Sequence, residues 1–504
     1  MAAIPPDRTV GIVGAGAMGT GIAQIAASAG HRVQLYDMRE GAVDAAITNL
    51  SKTLDTLVSK GRLAADKADL VRGRLEPAES LADFDVAALV VEAIAEDVEA
   101  KRRLFAELEG IVGDDCILAS NTSSLSISAL ARGLARPERV AGFHFFNPAP
   151  VMALVEIVSG LSTSHDVAAA LFDTAAAWGK SPVHAASTPG FVVNRCARPF
   201  YAEALRLLTE RAADAATIDA VMRDAGGFRM GPCELMDLIG HDVNFAVTNS
   251  VFDAYFKDPR YQPSVLQAEM VAAGRLGRKS GRGFFGYGTQ ADKPYPSTEP
   301  VGTRPAQVIV EGDLDFLEPL VARAVDVELP VHRRPAGARG PTLLVDGVAL
   351  RLTDGRTATV RARQTGEHAL VLHDLALDYA GCTRIAVSLA DQATGQAAAV
   401  ATGFFQACGI AVSLIDDAPG LIVMRTLAML VNEALEAVQQ GVVTAEGVDI
   451  AMTKGVNYPK GPFAWGREIG LPTVKTVLDN LAAHYGEDRY RASPRLNRLV
   501  AREQ

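Results

Sequence analysis

Residues 8–19 read Arg8-Thr9-Val10-Gly11-Ile12-Val13-Gly14-Ala15-Gly16-Ala17-Met18-Gly19. The run up to Val13 has the continuous hydrophobicity of a buried parallel strand. The glycines follow without a gap, and Ile22, Ile25 and Ala26 then recur at helical spacing. A second strand, Arg32-Val33-Gln34-Leu35-Tyr36-Asp37, ends in an acid 18 residues past the last glycine. Glycine spacing alone is a weak signal, but here it comes with its full context of strand, turn, helix, strand and acid. Such a turn lets the backbone approach a pyrophosphate, whose charge rests on the N–H groups opening the helix. Gly14, Ala15, Gly16, Ala17, Met18 and Gly19 are therefore the candidate cofactor loop, and Asp37 the acceptor for a ribose 2′-hydroxyl. A 2′-phosphate at Asp37 would be repelled by about 1–4 kcal/mol. The expected cofactor is NAD rather than NADP, a preference that Arg39 would soften.

A second stretch, from Gly142-Phe143-His144-Phe145-Phe146-Asn147-Pro148 to Leu154-Val155-Glu156-Ile157-Val158, sets one histidine in an apolar run and one glutamate twelve residues on. Val140 to Phe146 and Ala153 to Val158 read as strands. Paired antiparallel around Pro150, they put His144 opposite Glu156, about 5 Å apart at Cβ. A carboxylate that close fixes the imidazole in one tautomer and favours its protonated form. A general base is built this way; a buried histidine satisfied for structural reasons is the other reading of the same residues.

Between these stretches, residues 41–72 are helical in period, with Lys52, Lys60, Arg62 and Lys67 reading mostly as a solvated face. Val86 to Val91 is a strand continuing into Glu92-Ala93-Ile94-Ala95-Glu96, and a helix carrying Lys101 follows. Cys116 to Ser120 is a further strand, ending in Asn121-Thr122-Ser123-Ser124. Ligands of open α/β sheets bind beyond the carboxyl ends of strands, so this hydroxyl-rich end is expected near the cofactor. A helix cap would occupy one serine, not four polar residues.

At 504 residues the expectation is three or four domains. The net charge of −10 and the lack of a basic stripe speak against nucleic acid. Five scattered cysteines suggest neither a metal site nor a disulfide framework, and fit a reducing, cytoplasmic setting. The first residues do not read as a signal peptide, and no run of about 18 residues is apolar enough to span a membrane.

Beyond Pro189-Gly190 the pattern turns helical, with Asn194 near the start of the first helix, and Leu276 to Phe285 closes this region. Residues 289–306, with four prolines, read as a linker. From 307 to 415 strands and helices alternate without a glycine fingerprint; Asp346-Gly347 and Asp354-Gly355 suggest hairpins. After Asp416 the chain repeats itself. Pro189-Gly190, Val193, Arg195, Asp219 and Gly231-Pro232 recur 230 residues on as Pro419-Gly420, Val423, Arg425, Asp449 and Gly461-Pro462, while Asn194 becomes Met424.

GAGAMG at 14–19, VVEAIAED at 90–97, SNTSSL at 120–125, HFFNPAPVM at 144–152 and TPGFVVNR at 188–195 together resemble the L-3-hydroxyacyl-CoA dehydrogenase family. The resemblance covers residues 8 to about 288. It implies a Rossmann-type α/β NAD-binding domain (1–187) and an all-α C-terminal domain for substrate and dimerisation (188–288). The rest resembles the longer bacterial members: a truncated Rossmann-like fragment (307–415) and a second all-α copy (416–504). The family implies His144 as general base with Glu156 orienting it, and Ser123 and Asn194 on the substrate oxygens. It implies Asp37, Glu96, Lys101, Asn147 and Lys279 near NAD and Lys60 on CoA; Thr53 stands where the family has a contacting serine. Read without the family, Asn194 is a polar helix-end residue and Lys279 part of a solvated tail.

The expected reaction is NAD-dependent oxidation of an (S)-3-hydroxyacyl-CoA to the 3-oxoacyl-CoA. Chains of this length resemble the enzymes of aerobic phenylacetate breakdown, which implies 3-hydroxyadipyl-CoA as substrate, with 3-hydroxybutyryl-CoA the alternative. Hydroxyisobutyrate and phosphogluconate dehydrogenases share the sheet but use a lysine acid/base, and the His144 motif speaks against them. An NAD-binding structural protein would not require Ser123, His144, Glu156 and Asn194 together. Because the family dimerises through the helical domain, the two copies are expected to pair within one chain as a pseudo-dimer; assembly of whole chains is left open.

Overall fold

Val10, Ile12 and Val13 are buried because β1 (Thr9–Val13) lies mid-sheet, parallel to β2 (Val33–Tyr36) on one side and β4 (Ala87–Glu92) on the other. With β3 (Leu75–Pro77), β5 (Ile117–Ser120), β6 (Val140–Phe145), β7 (Leu154–Ser159) and β8 (Ser181–Ala186), the order is β3-β2-β1-β4-β5-β6-β7-β8. β1 to β6 run parallel; β7 reverses against β6, and β8 runs parallel to β7. The predicted register holds, with His144 opposite Glu156. The helices Ala17–Ser28 and His165–Ala177 bury Ile22, Ala26 and Leu171 in a core shared with Leu35, Phe143 and Phe145. Burial of each large apolar side chain contributes about 1.5–3 kcal/mol.

The computed structural model describes residues 2–288, 294–337 and 340–503, so residues 289–293 of the proline-rich linker lie outside the described residues. The chain forms two compact units: Met1–Arg195 with Ala437–Asn457, and Cys196–Glu436 with Tyr458–Gln504. In the first unit, the helix Ala445–Gly455 from the repeated region packs on β7 and β8. The Ala186 N–H donates to Val442 O (2.8 Å). Gly455 sits so close to Leu154 that a Cβ there would lie 2.5 Å from Leu154 Cδ2.

The second unit holds helices of both copies and a sheet of β9 (Val308–Glu311), β10 (Val331–Arg334), β11 (Thr342–Val345), β12 (Val348–Leu352), β13 (Leu370–His373), β14 (Arg384–Leu389) and β15 (Ala411–Leu414), in the order β10-β9-β11-β12-β13-β14-β15. The helix Ala215–Asp224, 230 residues before Ala445–Gly455, packs on β14. Asp346-Gly347 forms the expected hairpin turn: both residues have positive φ (44° and 84°), and Val345 pairs with Val348. The hairpin expected at Asp354-Gly355 is not formed. β12 and β13 are parallel, and parallel strands need a crossover. The helix Ala358–Thr365 supplies it, started by the Thr357 hydroxyl and by Asp417, which accepts from the N–H groups of Ala358 and Thr359. The repeat is visible in the backbone: Gly190 and Phe191 (φ 75° and 45°) match Gly420 and Leu421 (φ 75° and 53°). Among the described residues no helix is long and apolar enough to cross a membrane.

Candidate active site

The opposed strands β6 and β7 bring His144 Nδ1 to 2.6 Å from Glu156 Oε2, and both side chains are buried (5 % and 1 % exposed). The other carboxylate oxygen, Oε1, accepts from the N–H groups of Val192 and Val193, each at 3.0 Å. N–H groups opening a helix have no partner within it; Glu156 satisfies these two across 36 and 37 residues of sequence. The helix they open, Val193–Cys196, has Asn194 as its second residue. One carboxylate thus fixes both the imidazole and the backbone that carries Asn194. With Nδ1–H given to Glu156, Nε2 is the nitrogen left to take a proton. The Phe146 ring lies 4.5 Å and the Phe191 ring 5.8 Å from the imidazole centre.

The repeated region keeps this anchor and not the base. Asp374, an acid and not an imidazole, stands 230 residues after His144. Its Oδ2 accepts from the N–H groups of Ile422 and Val423 (2.9 and 2.7 Å), and its Oδ1 from Met424 (3.0 Å). Burial pushes its acid up to about 6.

The hydroxyl-rich end of β5 is held by buried charge. Lys101, 1 % exposed, has Nζ 2.7 Å from Glu92 Oε1 and 3.2 Å from Glu96 Oε2. Glu92 Oε2 accepts from Ser120 Oγ (2.6 Å). Glu96 Oε1 accepts from Thr122 Oγ1 (2.6 Å) and from the N–H groups of Ser123 (3.0 Å) and Ser124 (3.2 Å). Burial raises the Glu96 acid, but the Thr122 hydroxyl and the Lys101 ammonium outweigh it and hold the group below its ordinary range. Removing one partner of a buried pair such as Lys101–Glu92 costs about 3–5 kcal/mol. Lys101 therefore points at two carboxylates, the buried Glu92 and the more exposed Glu96, and through Glu96 it braces the loop carrying the half-buried Ser123.

The glycine loop fits a dinucleotide. Gly14 (φ 110°) and Gly19 admit no side chain, since a Cβ would lie 2.5 Å from Ala93 O and 1.8 Å from Gly14 O respectively. At Gly16, which opens the helix Ala17–Ser28, a Cβ would meet nothing within 4 Å. Gly16 faces a cleft of 480 Å³ with Ala15, Ala17, Arg39 and Thr53. Asp37, at the end of β2, accepts from Ala15 N–H (2.9 Å), and Arg39 grips both its oxygens (3.0 and 2.9 Å). That guanidinium holds the Asp37 acid at about 2, so the carboxylate is ionised and partly neutralised at once.

The remaining candidates are more scattered. Asn147 is exposed in the turn after β6, preceding a cis proline, and Lys180 Nζ ties this turn by donating to the carbonyls of Ala149 (2.7 Å) and Met152 (2.9 Å). Thr53 is exposed and its hydroxyl donates to Asn49 O (3.0 Å); Lys60 is exposed at the end of the same helix, Ala42–Ser59. Lys279 belongs to the second unit, 2.5 Å from Asp242, whose acid it lowers. Glu92, Asn121 and Lys180 carry no role in the sequence reading. Asn121 Oδ1 accepts from Phe145 N–H (2.8 Å), bracing β6 beside His144. Its place directly after a strand, in the polar end already singled out, was the available signal.

Three family profiles match the chain. The 3-hydroxyacyl-CoA dehydrogenase NAD-binding domain matches residues 9–188, and its C-terminal domain matches 190–287 and again 420–504. The reduced Rossmann-fold domain of 3-hydroxybutyryl-CoA dehydrogenase matches 350–419. A 3-hydroxyadipyl-CoA dehydrogenase of Escherichia coli is 43 % identical over 96 % of this chain and 95 % of its own. A crystal structure titled 3-hydroxybutyryl-CoA dehydrogenase, also from E. coli, superposes with a TM-score of 0.90 at 40 % identity, covering 99 % of both chains. That of (S)-3-hydroxybutyryl-CoA dehydrogenase from Ralstonia eutropha covers 56 % of this chain and 100 % of its own, with a TM-score of 0.54 at 42 % identity. The chain belongs to the 3-hydroxyacyl-CoA dehydrogenase family, NAD-dependent oxidoreductases that act on the hydroxyl of 3-hydroxyacyl-CoA thioesters.

Proposed function

We propose that this chain oxidises (S)-3-hydroxyadipyl-CoA to the 3-oxo thioester, with His144 as the base. The observation that carries the assignment of the base is the 2.6 Å bond between His144 and the doubly engaged Glu156. His144 Nε2 takes the proton of the substrate's 3-hydroxyl, and Glu156 stabilises the imidazolium that forms. Ser123 and Asn194 hold the substrate oxygens; Thr53 and Lys60 are the contacts to the CoA portion. NAD, when bound, supplies the hydride acceptor. The glycine loop would cradle its pyrophosphate and Asp37 would meet its ribose, with Glu96, Lys101 and Asn147 near it. The adipyl assignment rests on the E. coli relative matched along nearly the whole chain. Hydroxybutyryl-CoA is the second reading, favoured by the name of the crystal structure at TM-score 0.90. Five buried cysteines without disulfides support a reducing, cytoplasmic setting. Purified protein given a panel of 3-hydroxyacyl-CoA thioesters should form NADH, fastest with the adipyl thioester. NADP should serve at least tenfold worse, a difference of about 1.4 kcal/mol. No NADH from any thioester would reject the reaction; a butyryl optimum would reject the adipyl assignment.

We further propose that the two helical copies pair within the chain as a pseudo-dimer. Support comes from the exchange in their packing: the second copy's helix Ala445–Gly455 lies on β7 and β8 of the NAD-binding sheet, and its counterpart Ala215–Asp224 lies on β14 of the other sheet. Each copy offers a related surface, as in an isologous contact. One chain should then bind one NAD by calorimetric titration. Truncation near residue 290 should bare β7 and β8 and give aggregation or a new dimer. Two NAD sites per chain, or a stable, monomeric, fully active truncation, would refute the arrangement.

A further inference from the structure

Lys180, the residue before β8, has its ammonium 2.7 Å from Ala149 O, 3.4 Å from Pro150 O and 2.9 Å from Met152 O. All three carbonyls belong to the turn that joins β6 to β7. An ammonium has three donors and no acceptor, and here the three donors face one turn. The side chain is half-buried, and among the described residues no carboxylate pairs with it. Burial alone acts on its proton and pushes its pKa below the ordinary lysine value. A partly desolvated charge is costly unless hydrogen bonds offset it, and these carbonyls are the groups that do so.

Lys180 is itself fixed. Its own N–H donates to Ala175 O (3.0 Å) in the helix His165–Ala177, and the next N–H, of Ser181, donates to Ala153 O (2.8 Å). Inside the turn, the N–H groups of Val151 and Met152 donate to Pro148 O, both at 3.0 Å. On its other side the turn rests on the helix Ala17–Ser28. A Cβ at Gly21 would lie 3.1 Å from both Ala149 Cβ and Pro150 Cδ, inside the distance of about 3.5–4.0 Å of a relaxed carbon contact. Gly16 opens that helix, and Pro150 lines the same cleft as Gly16, Ala17 and Arg39. Asn147, in the same turn, follows His144 by three residues. All of these groups lie in the first unit.

We propose that Lys180 is a positioning residue for the cofactor. It clamps the β6–β7 turn against the helix Ala17–Ser28, so that one wall of the NAD cleft and the end of the strand carrying His144 keep a fixed spacing. The inference rests on the dehydrogenase reading and deepens it. Hydride transfer needs the nicotinamide and the base held in one geometry, and a misplacement of about 1 Å costs up to about 10²-fold. Gly21 is the complement of the clamp: the turn sits where a methyl group on the helix would stand.

The test measures NAD affinity by calorimetric titration, and kcat and KM by NADH formation. Lys180→Met should weaken NAD binding and lower kcat/KM for NAD by about 10- to 100-fold, with KM for the thioester near its wild-type value. Lys180→Arg keeps a charged multiple donor and should recover most of the loss. A merely structural role would lower the active fraction and leave KM for NAD unchanged, which overturns the proposal. Gly21→Ala presses on the turn from the helix side. With the clamp in place the turn does not yield, and NAD affinity should fall about tenfold; in the Lys180→Met background the fall should be below about threefold, a coupling of the size seen between residues acting on one element. Equal losses in the two backgrounds overturn the clamp, as does wild-type NAD affinity in Lys180→Met. Should Lys180→Met fail to fold, Lys180→Gln, with two donors on a shorter stem, takes its place, and wild-type NAD affinity in it overturns the proposal equally. If wild type forms no NADH from any thioester, the dehydrogenase reading fails, while NAD binding weakened in Lys180→Met and recovered in Lys180→Arg still upholds the clamp.

Discussion

Replacing His144 by alanine is expected to lower kcat by about 10²- to 10⁴-fold, the usual worth of a positioned proton acceptor, while NAD affinity changes little. The imidazole is buried, bonded through Nδ1 to Glu156 and flanked by Phe146 and Phe191. Alanine removes the base and leaves Glu156 anchored by Val192 and Val193, so the helix start keeps its partner. The loss should therefore fall on turnover rather than on folding. Steady-state NADH formation with purified variant, beside calorimetric titration of NAD, checks it. Turnover within about threefold of wild type would remove His144 from the chemistry.

Glu156→Gln is the sharper experiment. If the amide oxygen keeps the bonds to Val192 and Val193, the amide nitrogen faces His144 Nδ1 and presents a hydrogen where the imidazole needs an acceptor. The neutral ring must then carry its proton on Nε2, the nitrogen meant to receive one. A wrong tautomer of this kind costs up to about 10⁴-fold in serine proteases, and at least about 10²-fold is expected here. Loss of the negative charge also disfavours the imidazolium, which moves the acid limb of the pH–rate profile to lower pH. Glu156→Ala should add a loss of stability, because two buried N–H groups lose their acceptor at about 1–3 kcal/mol each. Thermal unfolding with kcat at several pH values separates the two variants. A Gln variant with the wild-type profile would show that Glu156 orients nothing.

The register that opposes His144 and Glu156 was legible because two strand-like runs flank a proline-bearing turn, and a strand's period of two leaves little freedom once the turn is located. The glycine loop was legible for the same local reason. The Lys101–Glu92 pair was not: burial of two charges nine residues apart depends on β5, which closes over them with Ser120. Asp354-Gly355 read as a hairpin because its signal is local, whereas the helix after it is started by Asp417, 59 residues from Ala358. β10, Val331-His332-Arg333-Arg334, is an exposed edge strand with no apolar alternation to reveal it.

The shared carboxylate of Glu156 makes two events one. Displacing Val192 to Asn194 draws on the same bonds that aim the imidazole. Linkage is reciprocal for equilibria of this kind: whatever steadies the backbone at Val192 and Val193 also steadies His144, and a disturbance at the imidazole reaches that backbone through a single side chain. Couplings of this sort are typically worth about 1–3 kcal/mol. In the repeat, the tether comes from Asp374, and the neighbouring His373 imidazole bonds the Asp374 carbonyl rather than its carboxylate. There the same joint between sheet and helix is closed by a shorter acid whose two oxygens are engaged by backbone N–H groups.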